Sequence, residues 1–388
     1  MSFWRNAKVL GIAAQVVVIL LVIAILAFFG DNLIYNFQLR GLSFGFDFLQ
    51  DSASFPIGTS LIDYDPSNSY LRAIIVGLLN SLIVMVVGII VATILGVAIG
   101  IGRLSDNWLV KQIATVYIEI FRNTPLLLQL FFWYSIFLQL PTSKDPIVIP
   151  GSIFLSNQGL FFPWPAFDPV TWLALTLIIL SIISAPILWR RRKLAIELTK
   201  SSPDNLPLRD RKEQLTILLI TAIAVPLIVF FVLDWQFPNF DRDLGLIAGG
   251  ANLSLEITTL IFGLAIYTGA FIAEVVRAGI TSVSKGQWEA ARSLGLKANL
   301  VMQLIIFPQA LRVMIPPLTS EYLNLAKNSS LATAIGYPDI YSISFNISEQ
   351  TGRSLEILLI VMASYLSVNL IISVAMNLFN KQVQIKER

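Results

Sequence analysis

Long apolar runs recur along the whole chain, and that recurrence limits what it can fold into. A helix rises about 1.5 Å per residue, so crossing the ~30 Å hydrocarbon core of a bilayer takes about 20 apolar residues. Eight stretches meet or approach that length: 9–29, 73–101, 114–138, 169–188, 214–233, 254–276, 302–323 and 355–378. Mean hydropathy is +0.75 and 13% of residues are charged, against roughly 25% in a soluble domain. Backbone groups in lipid must be satisfied within the segment, so runs of this kind are helices. The fold class that follows is an all-α integral membrane protein with about eight transmembrane helices. The seventh run is the least regular, interrupted by Pro308, Pro316 and Pro317. Arg5 and Lys8 precede the first run as in a signal peptide. That run is longer than a signal core and no small-residue cleavage site follows, so it reads as a retained span.

Charge placement sets the orientation. With the N-terminus in the cytoplasm, nineteen lysines and arginines fall inside, among them Arg190–Lys193 and Lys381, Lys386 and Arg388. Five fall outside: Arg40, Lys144, Arg242, Lys327 and Arg353. An even number of spans returns the C-terminus to the cytoplasm. The outer stretches 31–70 and 141–169 carry aspartates, aromatics and prolines. They read as loops with an interfacial aromatic belt, or as a landing surface for a soluble partner.

Composition removes several functions. The chain has no histidine and no cysteine, which takes away the usual general base, the commonest metal ligand and any disulfide. Neither catalytic residues nor metal ligands are expected. The net charge of +3 comes from loop residues rather than one basic face, so nucleic acid is not a partner. No phosphate-binding G-x-x-x-x-G-K-[ST] loop occurs, so ATP is not bound by this chain in the usual way.

Three polar constellations stand out. The first is Ser284 to Leu296, a short helix on the cytoplasmic side. Ser284 and Gln287 have the spacing of a capping box. Gly295 supplies the left-handed residue that ends a helix. Gly286, Glu289, Ala290 and Ala291 lie between, and the two alanines leave a face without bulk that another protein can approach. The same pattern also fits an ordinary amphipathic loop helix.

The second constellation is Tyr117 to Gln129. Glu119 and Arg122 are three apart and can pair on a helix. Pro125 removes a backbone donor and bends the helix, Thr124 can satisfy a freed carbonyl, and Gln129 points an amide into the membrane. A membrane-edge ion pair with a tolerated kink explains these residues equally.

The third is Ser320 to Leu331. Glu321, Asn324, Lys327 and Asn328 recur at spacings of three and four, with Ser329 and Ser330 beside them. Such a face is expensive in lipid. It therefore faces the bundle interior or a water-filled cavity, where it either braces the bundle or meets a zwitterion. Lys327, the amides and the hydroxyls would suit a carboxylate, and Glu321 an ammonium.

These motifs also carry a resemblance. Glu289-Ala-Ala-x-x-x-Gly295, followed by a hydrophobic run and Pro308, resembles the EAA loop of ABC importer permeases, with Ser284 where many relatives carry Pro. Glu119-x-Phe-Arg-x-Thr-Pro-Leu-Leu-x-Gln-Leu130 resembles the signature of their polar amino-acid subfamily, with Asn123 where many relatives carry Gly. Leu323-Asn-Leu-Ala-Lys-Asn-Ser-Ser-Leu331 through Asp339, with Gln350 to Glu356, is similar to the general L-amino-acid and glutamate/glutamine/aspartate permeases.

The resemblance covers about 73–138 and 254–388, the five helices of a type I importer core. It implies organisation as 1–72, a first span and outer loop; 73–140, the first part of the core; 141–253, an insertion with two extra spans; and 254–388, the second part, with the loop at about 277–301. It further implies a multi-pass protein of the bacterial inner membrane that imports polar L-amino acids. The expected partners are cytoplasmic ABC ATPase subunits that hold ATP and Mg2+, a second permease subunit, homologous or identical, and a periplasmic amino-acid-binding protein. A stand-alone secondary transporter is the alternative. It would place acidic residues in mid-membrane for ion coupling, where this chain has almost none.

The topology is open to direct test. A reactive tag at Lys200 should be accessible only from the cytoplasm and one at Asn68 only from outside. Labelling of both from one side would overturn the eight-span arrangement.

Overall fold

The computed structural model describes residues 7–39, 44–166, 171, 176, 233–242 and 245–383. Its helices are α1 (Ala7–Leu39), α2 (Tyr70–Gly102), α3 (Trp108–Asn123), α4 (Leu126–Leu138), α5 (Leu255–Thr281), α6 (Lys285–Ser293), α7 (Phe307–Asn328), α8 (Ile340–Thr351) and α9 (Ser354–Val383). Among the described residues, four helices are long and apolar enough to cross a bilayer: α1 over Gly11–Asn32, α2, α5 and α9. The expected spans 169–188 and 214–233 lie outside the described residues, apart from Thr171 and Thr176.

Two expectations about span continuity change. The third run is not one bent helix, because Thr124 is extended (φ −109°, ψ 132°) ahead of Pro125 and divides α3 from α4. Proline drives the residue before it out of the helical region, so the sequence T-P makes a break rather than a kink. The seventh run, conversely, is not interrupted by its prolines. A five-residue π turn, Met302–Ile306, leads into α7. Pro308 sits in the first turn of α7, where a missing N–H costs nothing, and Pro316 and Pro317 lie inside an unbroken helix. Proline at these two positions leaves the carbonyls of Arg312 and Val313 without their usual donors.

The chain divides into two compact units. The first comprises Met1–Ser81 and Pro338–Ile371. Its core joins Phe48, Tyr70, Ile74, Ile340, Ile343, Ile347 and Ile357. The stretch 44–69 is therefore a packed segment, with Phe48 and Ala53 buried and Asp47, Asp51, Asp63 and Asp65 exposed. Asn80 donates from Nδ2 to the carbonyls of Thr59 (2.8 Å) and Pro338 (2.9 Å). The Ile340 N–H donates to Ser81 Oγ (3.0 Å). Asp339 caps α8 by accepting from the Ser342 N–H (2.8 Å). Along Gly11–Asn32, α1 presents exposed apolar side chains, as a lipid-facing helix does.

The second unit comprises Leu82–Tyr337 and Ile372–Arg388. Helix α5 is its centre, with sixteen buried residues. The neighbours reach it where a side chain is missing. A Cβ on Gly96 would stand 2.6 Å from Ile272 Cβ, and one on Gly100 would stand 2.7 Å from the Ala273 carbonyl. Gly263 of α5 receives Leu130 of α4, and Gly279 receives Met314 of α7. Tyr117 of α3 donates its hydroxyl to the Ile266 carbonyl (2.6 Å), and Thr93 of α2 is hydrogen-bonded to Tyr322 of α7 (2.9 Å).

The helical class holds, with an addition. The insertion contributes short strands: β1 (Ile147–Ile149), β2 (Ile153–Ser156), β3 (Gly159–Phe162), β4 (Trp164–Pro165), β5 (Trp235–Gln236), β6 (Asn239–Asp241), β7 (Leu246–Ala248) and β8 (Ala251–Ser254). All pairings are antiparallel: one sheet in the order β1-β2-β3-β8 and two separate pairs, β4-β5 and β6-β7. Leu160 stands opposite Leu253 and Trp164 opposite Gln236. The expectation of a plain outer loop at 141–169 thus gives way to a sheet that joins both flanks of the insertion.

Gly100→Val should be poorly tolerated. The added carbons must displace the α5 backbone at Ala273, and overpacking of this kind costs about 1–3 kcal/mol. The expected result is a fall in the amount of folded protein recovered from membranes, measured by size-exclusion fluorescence against Gly58→Val, where a Cβ meets nothing within 4 Å.

Candidate functional site

Helix α6 follows α5 after a three-residue turn. Ser284 occupies its N-cap position with φ −58° and ψ 142°, but its hydroxyl makes no capping bond. The backbone closes the turn instead, through Gln287 N–H to the Ser284 carbonyl (3.0 Å), so the expected side-chain box is not formed. The stop is as read from the sequence: Gly295 has φ +72°. Its N–H donates to the Arg292 carbonyl (2.9 Å) and that of Leu296 to the Ala291 carbonyl (3.3 Å), the bond pair of a Schellman ending.

The two alanines part company. Ala291 is buried in the core cluster that also holds Val283 and Val301, and Trp288 and Leu296 pack against that cluster. Gly286, Glu289 and Ala290 are exposed, as are Ser284 and Gly295 at the ends. The small face expected to meet a partner is therefore half occupied by the protein's own core, because Ala291 lies one residue round the helix from Ala290.

The α3–α4 break organises the second constellation. Thr124 Oγ donates to the Ile120 carbonyl (2.8 Å). Gln129 is 4% exposed, and its Nε2 donates to the carbonyls of Phe121 (3.0 Å) and Thr124 (2.9 Å). Those carbonyls lost their helical donors at Pro125, and the amide replaces them. Within this chain the Gln129 amide nitrogen is thus committed to the end of α3, and its Oε1 is buried without a partner.

The expected Glu119–Arg122 pair is also absent. Glu119 faces Arg103 (3.8 Å) and accepts from Asn123 Nδ2 (3.3 Å). Arg122 lies over the ring of Phe271, 5.2 Å from its centroid, within cation–π range.

The third constellation opens on a cavity of about 370 Å³, inside the range of small-molecule sites. Glu321, Asn324, Lys327 and Asn328 of α7 form one wall, and Tyr267, Thr268 and Phe271 of α5 the other. Ser329 and Ser330 do not join them. Their hydroxyls donate to the carbonyls of Ala326 (2.8 Å) and Lys327 (2.9 Å) of their own chain turn. The α5 wall was missed because Tyr267, Thr268 and Phe271 sit in a run otherwise read as apolar. The available signal was an aromatic, a hydroxyl and a second aromatic at i, i+1 and i+4, continued on the same side by Glu274. Towards α6 the cavity gives way to charge: Glu274 is held by Arg277 (2.6 Å) and by Arg103.

Residues 208–385 match the family of binding-protein-dependent transport system inner membrane components. The chain is 39% identical over 397 residues to the general L-amino acid transport system permease protein AapQ of Rhizobium johnstonii, covering 100% of this chain and 95% of that one. It is 40% identical over 410 residues to the glutamate/glutamine/aspartate/asparagine transport system permease protein BztB of Rhodobacter capsulatus, covering 97% and 94%. A crystal structure of an amino acid ABC transporter with histidines covers 81% of this chain and is covered to 95%, at 22% identity and a TM-score of 0.46.

Accessibility of the cavity can be read with cysteines, since the chain has none of its own. Single cysteines at Asn324 and Asn328 should react with a small water-soluble thiol reagent, and one at Gln129 should not. Silence at both α7 positions in every nucleotide state, with transport intact, would make the polar face internal packing.

Proposed function

Because the chain belongs to the family of binding-protein-dependent inner membrane transport components, and within it to the ABC transporter permeases, we propose that it conducts polar L-amino acids of the glutamate, glutamine, aspartate and neutral types into the cell. The observation that carries this reading is the cavity between α5 and α7. An amino acid presents a carboxylate and an ammonium, and the cavity presents Lys327 and Glu321, both without an ion pair among the described residues. Asn324 and Asn328 add amide donors and acceptors, and Thr268 a hydroxyl. Lys327 is exposed near the end of α7, where its ammonium is available to a substrate carboxylate.

The chain is a multi-pass inner membrane subunit, and its motor lies elsewhere. Two permease subunits, this chain and a copy or relative, enclose the path. Cytoplasmic ATPases bind ATP and Mg2+, and a periplasmic binding protein delivers the amino acid to the outer face. Both termini lie in the cytoplasm. The contact with the ATPase is α6, through exposed Gly286, Glu289 and Ala290 between the Ser284 start and the Gly295 stop. Ala291, Trp288 and Leu296 anchor the same helix to the membrane core. A push on the exposed side is thereby passed to the cluster that holds Val283, in the turn after α5, and Val301, ahead of α7, and so to both cavity walls.

The coupling step has its own test. Glu289→Lys reverses charge on the exposed side, and Gly295→Val forces a β-branched residue to positive φ. Both should insert normally and remove substrate-stimulated ATP hydrolysis from the assembled complex. Normal stimulation in the Glu289 variant would show that α6 is not the contact.

A further inference from the structure

Charge around the cavity is balanced at its wall and unbalanced just beyond it. Lys327 and Glu321 together suit the zwitterionic head of any amino acid. Past Phe271, the nearby carboxylates are engaged. Glu274 takes two bonds from Arg277 Nε (3.1 and 3.0 Å), a third from its Nη2 (2.6 Å), and one from Arg103. Glu119 is shared between Arg103 and Asn123. Arg122 is different. It has no ion pair among the described residues and rests on the Phe271 ring. That ring is part of the cavity wall, and Arg122 interacts electrostatically with both Glu321 and Glu274. The arginine of α7, Arg312, stands nine residues before Glu321, about 13 Å along the helix.

A substrate held head-first by Lys327 and Glu321 extends its side chain towards these groups. A side-chain carboxylate meets an arginine that rests on a ring and makes no ion pair among the described residues, and a charge-assisted, bidentate bond is stronger than the stacking it replaces. A cationic side chain meets the same arginine as repulsion and finds Glu274 and Glu119 occupied, so discrimination has both an attractive and a repulsive part. We propose that Arg122 is a specificity-determining residue that favours substrates bearing a side-chain carboxylate, acting across Phe271. This rests on the cavity being the substrate site.

Glutamate and glutamine test it cleanly, since their side chains match in shape and differ in charge. Uptake of each is measured in proteoliposomes holding the whole complex, with the binding protein saturated by that amino acid and its loading checked by titration. In Arg122→Gln the glutamate-to-glutamine uptake ratio should fall about 10-fold or more, the scale of one lost charge-assisted bond. Arg122→Lys keeps the charge and should hold the ratio within about threefold of the parent. If the Gln variant does not assemble, Arg122→Met takes its place. An unchanged ratio in the neutral variant, equal loss in the Lys variant, or a binding protein that does not load glutamate overturns the proposal. Lys327→Gln separates the two levels. Unaltered uptake of both amino acids there removes the cavity as the substrate site. Loss of both, with an unchanged ratio in the Arg122 variant, removes only the role of Arg122.

Discussion

Everything in the second unit depends on how closely other helices can approach α5. Lipid offers little hydrophobic reward for bringing two apolar helices together, so association rests on packing and on small residues that admit close contact. Gly96 and Gly100, one turn apart on α2, lie against Ile272, Ala273 and Val276. Gly263 and Gly279 on α5 itself take in Leu130 and Met314. Four contacts between helices are thus set by absent side chains. The tight fit positions Tyr267, Thr268 and Phe271 opposite the polar face of α7, and the cavity is the space left where the fit relaxes.

The α3–α4 break shows how irregular backbone is accommodated at membrane depth. A T-P step frees carbonyls, and each freed carbonyl needs a donor where water is scarce. Thr124 serves the turn before it, and Gln129 reaches back to Phe121 and Thr124. One proline therefore explains a buried glutamine whose amide serves backbone carbonyls on the far side of the break.

Local chemistry was legible in the sequence, and relations across the fold were not. Gly295 announced a helix stop because only the residue's own backbone decides it. The α7 face announced itself because Glu321, Asn324 and Asn328 share a helical period. The backbone partners of Gln129 were not legible because they exist only once Pro125 has broken the helix. The α5 wall was invisible because an aromatic in an apolar run looks the same whether it faces lipid or a cavity. The strands escaped notice for two reasons: they are two to four residues long, and the pairing of Leu160 with Leu253 joins residues that sequence proximity cannot connect. Prolines 316 and 317 misled in the opposite sense, since α7 continues through them.

The small sheet has a consequence for how the insertion can vary in length. The Ala166 N–H donates to the Asp234 carbonyl (2.8 Å), so the two ends of the intervening segment leave the fold at a single seam. Closing a long loop costs entropy that grows only slowly with its length, and here the β4–β5 pairing has already met that cost. The flanks of the insertion are thus fixed by their own pairing, Ala166 with Asp234 and Leu160 with Leu253, so a change of length between those flanks leaves the seam ahead of α5 closed.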